Sequence, residues 1–119
     1  MATTDLSDYK NLYLQTAKEY MNKMALSLNQ LSDNASNKEA LNDLHIASHS
    51  LKSQSQVMGY NDIANICLSI EKTSDDILNK IAQIDGKFII FLKGSIDKIN
   101  LSLAQIEKGD AETAFNAVK

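Results

Sequence analysis

The chain has 119 residues, of which 44% are apolar and 23% are charged, a composition typical of one globular domain with one core. We therefore interpret residues 1–119 as a single domain. The formal net charge is -3, and lysine is the only basic residue besides histidine. The chain therefore lacks the positive potential that attracts a polyanion, which argues against nucleic acid as a partner.

The first predicted helix extends from about residue 7 to residue 31. Apolar side chains recur there every three or four residues, the spacing that gives a helix one buried stripe. Further apolar residues lie beside the stripe, which predicts that a second helix covers this one. A polar run at 32–37 then ends the helix. The stripe consists of Tyr9, Tyr13, Ala17, Tyr20, Met24, Leu28 and Leu31.

The second predicted helix begins just after Ser36. Ser36 and Glu39 have the S-x-x-E spacing of a capping box, in which each side chain satisfies a backbone N–H at the start of a helix. We expect this helix to run to Met58, because Gly59 can adopt the left-handed conformation that ends a helix. Asn61 is the expected cap of the next helix.

The third predicted helix has the clearest periodicity in the chain. Its apolar positions are three or four residues apart, which no strand with a period of two would use. The pattern predicts a helix that continues to residue 84 and stops at Asp85 and Gly86. The periodic positions are Ile63, Ile66, Cys67, Ile70, Ser74, Ile77, Ile81 and Ile84.

The fourth predicted helix spans about residues 87–108 and passes through Gly94, at a cost of roughly 1 kcal/mol relative to alanine. Gly109 and Asp110 are its expected stop, and residues 111–118 then predict a short fifth helix. Long helices joined by short loops pack as antiparallel neighbours. The sequence therefore predicts an all-α fold, an antiparallel up-down four-helix bundle with a short fifth C-terminal helix.

His49 is the candidate functional residue, because it falls roughly 140° away from the apolar stripe of the second helix. A neutral imidazole is a nucleophile near neutral pH. Lys52 lies one turn further on and can contact an anionic group carried on His49, and Gln56 can donate a hydrogen bond from the following turn. Glu71 on the third helix can reach the near ring nitrogen and hold the tautomer that leaves the other nitrogen free.

His45 opens a second interpretation, because it lies four residues before His49 on the same side of the helix. Two imidazoles at this spacing can bind one metal ion, with Glu71 as a third ligand. No further ligands cluster nearby in the sequence. We therefore interpret His45 as a neighbour on the polar face, and predict no metal and no cofactor.

The pattern around His49 resembles the histidine-containing phosphotransfer (HPt) family, and most closely the phosphotransfer domains of CheA-type chemotaxis histidine kinases. That family has a lysine at +3 from the histidine, a glycine at +10 followed by an aromatic residue, apolar residues at +14, +17 and +21, and a glutamate at +22. Residues 9–24 also resemble the first helix of CheA-type domains. The matching positions are Lys52, Gly59, Tyr60, Ile63, Ile66, Ile70 and Glu71.

The resemblance implies a phosphotransfer function in a two-component signalling system of the chemotaxis type. The ATP-binding domain of a histidine kinase would phosphorylate His49, which would pass the phosphoryl group to an aspartate of a response-regulator receiver domain. Lys52, Gln56 and Glu71 would assist. The chain has no Gly-rich nucleotide loop, so it is a phosphoacceptor rather than a catalyst by itself. We expect a monomer, either independent or excised from a longer kinase.

Two positions depart from the family pattern. Ser53 stands at +4, where glycine is usual, and Leu68 stands at +19, where CheA-type domains commonly have a second histidine. A side chain at residue 53 narrows the approach to His49, and Leu68 removes a possible hydrogen bond. These departures favour an alternative function, a helical module that binds signalling partners without phosphotransfer.

The sequence also predicts a cytoplasmic location. Cys67 has no second cysteine with which to pair and sits in an apolar run, as expected of a buried residue in a reducing compartment. The N-terminus lacks a basic segment followed by an apolar one, the pattern of a secretory signal. The longest apolar run, residues 88–92, is far shorter than the roughly 20 residues needed to span a bilayer, so we expect no membrane insertion.

Overall fold

A computed structural model describes residues 6–80 and 83–109. Within these residues the chain forms four helices and no strand, which confirms the all-helical prediction. The predicted fifth helix at 111–118 lies outside the described residues. The helices are α1 (Leu6–Asp33), α2 (Lys38–Met58), α3 (Asn61–Leu78) and α4 (Gly86–Glu107).

The four helices surround a common core, in which α1 packs against α2 and α4, and α3 packs against the same two helices. Polar contacts give the relative directions of α1 and its neighbours. Tyr13 Oη and Ser55 Oγ, 2.7 Å apart, join the N-terminal half of α1 to the C-terminal end of α2. Lys18 Nζ donates to Glu107 Oε2 at 2.9 Å and joins the same half of α1 to the end of α4. Both contacts fit antiparallel neighbours.

The core is made of the apolar stripes that the periodicity predicts, with two differences on α1. Tyr9, predicted on the stripe, is half exposed, whereas Leu14 and Met21, which lie beside it, are buried. The second covered surface of α1 is explained by α4, which packs there. Each fully buried leucine or isoleucine contributes about 1.5–3 kcal/mol to folding. Side chains that are completely buried include Leu44, Leu51, Ile63, Ile70, Leu92, Ile99 and Ile106.

The start of α2 corrects the predicted capping box. Asn37, not Ser36, is the N-cap residue, with its Oδ1 accepting a hydrogen bond from the Ala40 N–H at 3.0 Å. The Ser36 N–H instead donates to Asn34 Oδ1 in the preceding turn. An asparagine one position later reaches the third N–H of the helix with the same geometry as a serine, so both residues fit the local sequence.

The turn between α2 and α3 forms as predicted at Gly59, which has a φ of 80°. The Gly59 N–H donates to the Gln56 carbonyl at 3.1 Å, and the Tyr60 N–H donates to the Ser55 carbonyl at 2.8 Å. These two bonds make a Schellman motif, which requires a residue in the left-handed conformation. The predicted cap at Asn61 is wrong, because Asn61 is already the first residue of α3.

The third helix ends earlier than its periodicity predicts. α3 stops at Leu78, Asn79 is its C-cap and Lys80 has a φ of 62°, so the chain leaves the helix before residue 84. Asp85 does not stop α3 but caps α4, since its Oδ1 accepts from the Phe88 N–H at 2.9 Å. Ile84 lies outside the helix but is partly buried against the core, so its apolar side chain extended the periodic pattern beyond the end of α3.

The fourth helix runs without interruption through Gly94, as predicted. Gly109, with a φ of 95°, follows its end, and its N–H donates to the Ile106 carbonyl at 3.0 Å. No helix among the described residues is long and apolar enough to cross a membrane.

Candidate functional site

The antiparallel packing of α2 against α3 creates the candidate site. Two contacts cross this seam one helical turn apart: His45 lies opposite Asp75, and His49 lies opposite Glu71. The residue number rises on α2 as it falls on α3, so the two helices run in opposite directions. The short Gly59 turn sets this register, because it brings the start of α3 back along the end of α2.

His49 is presented to solvent from the middle of α2, as its place on the polar side predicts. Its side chain is 56% exposed, and its Nδ1 lies 2.6 Å from Glu71 Oε2. The predicted contact between Glu71 and the near ring nitrogen is therefore confirmed. A separation this short is typical of a charge-assisted hydrogen bond.

Glu71 is more enclosed than the histidine it contacts, with its side chain only 15% exposed. Its second oxygen, Oε1, accepts a hydrogen bond from Lys52 Nζ at 2.7 Å. Burial by itself raises the pKa of Glu71, but the hydrogen bonds from Lys52 and His49 offset this and hold the pKa below its usual value. The carboxylate is thus ionised at neutral pH and has a partner for each oxygen.

The ionised state of Glu71 determines the tautomer of the His49 ring. A carboxylate can only accept hydrogen bonds, so the hydrogen between Glu71 Oε2 and His49 Nδ1 belongs to the ring. A neutral ring that carries its hydrogen on Nδ1 has its lone pair on Nε2. Within the described residues the structure gives that nitrogen no hydrogen-bond partner. His49 therefore offers Nε2 as a nucleophile.

Lys52 takes a different place from the one predicted for it. The sequence places it against an anionic group on His49, whereas in the structure its ammonium is bound to Glu71 and its side chain is only 17% exposed. The ammonium is thus a second partner of the carboxylate that orients the ring. Spacing along α2 puts Lys52 near His49 but does not indicate which of two anions it contacts.

Gln56 is exposed and, among the described residues, its side chain makes no hydrogen bond to His49, Lys52 or Glu71. Two helical turns separate it from His49, or roughly 10 Å along the axis, which is beyond direct contact. The structure does not bring Gln56 into the cluster, and its role stays a prediction.

The two departures from the family pattern have different structural consequences. The Ser53 hydroxyl donates to the His49 carbonyl at 3.2 Å, so it folds back onto the backbone of α2. Leu68 is exposed on α3 one turn before Glu71 and supplies no polar group. The site loses little space at Ser53 and gains no hydrogen bond at Leu68.

Cys67 lies behind the polar cluster and is fully buried, which confirms the prediction of a buried residue. Burial, and to a smaller extent the nearby Glu71 carboxylate, raise the pKa of the Cys67 thiol to about 12. The thiol is therefore protonated at neutral pH and is a poor nucleophile.

His45 forms a second pair across the seam that sequence spacing did not reveal. Its Nε2 lies 3.9 Å from Asp75 Oδ1, too far for a hydrogen bond, and its ring is 28% exposed. His45 and His49 thus have separate carboxylate neighbours. No three His, Cys, Asp or Glu side chains among the described residues come close enough together to hold a metal ion. The metal interpretation with Glu71 as shared ligand therefore has no support in the geometry. The sequence signal for this second pair is the position of Asp75 four residues after Glu71, which matches the four residues between His45 and His49.

The fold and the site define a class of protein, and comparison with known families gives the same class. The family model described as Hpt domain matches residues 8–109, so the chain belongs to the Hpt domain family. The resemblance that the sequence pattern indicates is therefore confirmed.

Two relatives identify the branch of the family to which the chain is similar. It is 24% identical over 115 residues to the chemotaxis protein CheA of Bacillus subtilis (strain 168). The matched region covers 96% of this chain but only 17% of that protein. The chain thus spans about a sixth of the length of this relative. Its fold matches the CheA phosphotransferase domain from Thermotoga maritima with a TM-score of 0.83 and 23% identity, over 87% of this chain and 99% of that one.

Proposed function

We propose that His49 is the phosphoacceptor of a phosphotransfer domain in a CheA-type two-component system. The observation that carries this proposal is the pairing of an exposed imidazole with an enclosed, ionised Glu71 at 2.6 Å. That pairing directs Nδ1 inward and leaves Nε2 as the nucleophile. Residues 1–119 would act as one domain of this kind, and its location would be cytoplasmic, as for its proposed partners.

In the first step, the Nε2 lone pair attacks the γ-phosphorus of ATP held by a histidine kinase domain. The N–P bond forms as the bond between phosphorus and the bridging oxygen breaks, and ADP leaves with that electron pair. The ring becomes positively charged and keeps its Nδ1 hydrogen, which still donates to Glu71 Oε2. The carboxylate stabilises this charge, which develops only during the reaction.

In the second step, a carboxylate oxygen of a receiver aspartate attacks the same phosphorus. The N–P bond breaks and its electron pair returns to Nε2, which restores the neutral ring. In both steps this chain would be substrate and carrier, and the kinase would bind the nucleotide. The kinase and the receiver supply the remaining groups.

Lys52 supports the reaction through Glu71. By occupying Oε1 with its ammonium, it keeps the carboxylate ionised and leaves Oε2 for the ring. Two hydrogen bonds from α2, one to each oxygen, also fix the orientation of the carboxylate. Gln56 remains a candidate for contact with a partner or with the phosphoryl group, since it is exposed on the same helix.

The test is phosphorylation by a CheA-type kinase with radiolabelled ATP. We expect a base-stable, acid-labile phosphoprotein, with the label on His49 by mass spectrometry and lost when a receiver domain is added. No labelling in the parent chain would contradict the proposal.

The alternative, a module that binds signalling partners without phosphotransfer, predicts a different result. Such a module would bind the receiver with equal affinity whether or not ATP and kinase are present, and would carry no label. Ser53 motivates that alternative from the sequence, but its hydroxyl is folded against the helix backbone. The geometry therefore favours the active form.

A further inference from the structure

The pair formed by His45 and Asp75 is used by nothing in the proposed reaction, although it lies directly beside it. Its Nε2 is 3.9 Å from Asp75 Oδ1, one helical turn along the seam from the His49–Glu71 contact. Residues four apart on a helix have Cβ atoms roughly 6 Å apart. Side chains on a helix also lean toward its N-terminus, which favours an approach of the His49 ring to the turn that contains His45.

His45 is unsuited to act as a second phosphoacceptor. Its ring is half as exposed as that of His49, at 28% against 56%. Its outer nitrogen, Nε2, points to Asp75, and the inner nitrogen is closer to the helix backbone. Its separation from the carboxylate is too long for a neutral hydrogen bond but suits an ion pair when the ring is protonated.

The charge of His45 responds to its surroundings, and those surroundings change when His49 is phosphorylated. From α3, the groups that face this part of α2 are Asp75 and Glu71, with Lys72 beside them on the exposed side. On α2 itself the nearest titratable neighbour on the same side is His49. From α1, Lys23 lies across a separate groove, beside Asp43.

A phosphoryl group on His49 carries roughly two negative charges, as on other phosphorylated side chains, and the ring gains one positive charge, so the net charge of this set falls by about one. Lys52 is already bound to Glu71 and is partly enclosed, so its charge is largely balanced before phosphorylation. Once protonated, the ring of His45 would be the nearest cation on the N-terminal side of His49, the side toward which helical side chains lean. Opposite charges at this distance favour the charged form of the ring.

We propose that His45 is a positioning residue whose protonation is coupled to phosphorylation of His49. The phosphorylated chain takes up a proton at His45, and the resulting cation, held by Asp75, stabilises the phosphoryl group. By the reciprocity of linked equilibria, lowering the pH then favours the phosphorylated form through this residue. This inference rests on the proposed function. The coupling makes the fraction of phosphorylated domain depend on pH.

The test is an NMR titration of the His45 ring in the full 119-residue chain, before and after phosphorylation of His49 with phosphoramidate. This small-molecule donor requires no kinase. We expect the midpoint of the His45 titration to lie about 0.5–1 pH unit higher in the phosphorylated chain, the shift that a net charge of about one at roughly 6–8 Å produces at an effective dielectric constant of about 40–80. His45→Gln identifies the resonance.

Two variants separate the coupling from a structural effect. His49→Gln, treated in the same way, should show an unmoved His45 titration. Asp75→Asn should keep the difference between the two forms. A phosphorylated His49 with an unchanged His45 titration would overturn this inference alone. Failure of phosphoramidate to modify His49 at all would overturn the proposed function, and this inference with it.

Discussion

The two imidazole–carboxylate pairs on the α2–α3 seam have opposite patterns of exposure. In the His49–Glu71 pair the ring is 56% exposed and the carboxylate 15%, whereas in the His45–Asp75 pair the ring is 28% exposed and the carboxylate 58%. The distances differ in the same sense, 2.6 Å against 3.9 Å. An enclosed acid can orient an exposed ring, but an exposed acid leaves a sheltered ring without a fixed partner. The same two chemical groups therefore give an exposed ring with a fixed orientation at one turn and a sheltered ring with a distant carboxylate at the next.

The largest expected effect distinguishes the two histidines as acceptors. His49→Gln should abolish labelling by a CheA-type kinase and ATP, a loss of at least about a hundredfold, because the ring of His45 points its outer nitrogen to Asp75. The matched control, His45→Gln, should still be labelled. If mass spectrometry under alkaline conditions found phosphate on His45 in the His49→Gln chain, both histidines would be phosphoryl acceptors and the distinction between them would be wrong.

A smaller effect is expected for the two carboxylates. Glu71→Gln removes the charge that offsets the developing imidazolium, and a charged hydrogen bond of this kind is worth about 1.4 kcal/mol, or a tenfold rate. We expect phosphorylation to slow about tenfold with the fold intact. Asp75→Asn should change the rate less than about twofold. Single-turnover labelling measures both, and equal losses in the two variants would contradict the distinction.

The second bond to the enclosed carboxylate should contribute to stability. Lys52→Met leaves Glu71 Oε1 without its partner, which costs about 1–2 kcal/mol of unfolding free energy. The control is Lys18→Met, which removes the ion pair to Glu107 where both side chains are more than half exposed. That change should cost less than about 0.5 kcal/mol. Urea denaturation compares the two, and an equal loss would show that enclosure of the carboxylate adds nothing.

The smallest effect concerns acid stability. The pKa of Glu71 is lowered from 4.5 in the folded chain, so its contribution is present above pH 4.5 and disappears as the pH falls through the lower, folded value. The parent should be more stable than Glu71→Gln by about 1 kcal/mol at pH 6–7, and the difference should disappear as the pH falls below the lowered pKa of Glu71. Urea titrations across this range measure it. A constant difference would show that ionisation of Glu71 is not its source.

The sequence predicted where His49 and Glu71 lie more accurately than it predicted the partner of Lys52. The polar placement of His49 follows from helical periodicity alone, and its contact with Glu71 follows once a short turn at Gly59 makes α2 and α3 antiparallel. The partner of Lys52 could not be predicted from the sequence in this way. Its flexible side chain can reach either His49 or Glu71, and only the packed geometry decides between two acceptors at similar distances.

Helix ends were predicted where backbone geometry demands a particular residue and missed elsewhere. Gly59 ends α2 because its left-handed conformation suits glycine. Several residues near the start of α2 are competent caps, so Asn37 took the place expected of Ser36. The apolar pattern of α3 continued past Leu78 because Ile84, which lies outside the helix, is also partly buried against the core.

The amino-acid sequence by itself determined that the chain forms helices with one apolar stripe each, and that His49 lies opposite such a stripe. Periodicity carries this information, because every turn of a helix repeats the same choice between core and solvent. Only the tertiary structure decided that Glu71 is enclosed while Asp75 is exposed. Burial of a side chain at the edge of a stripe depends on how closely the neighbouring helix approaches, and that distance is set by the packing of all four helices together.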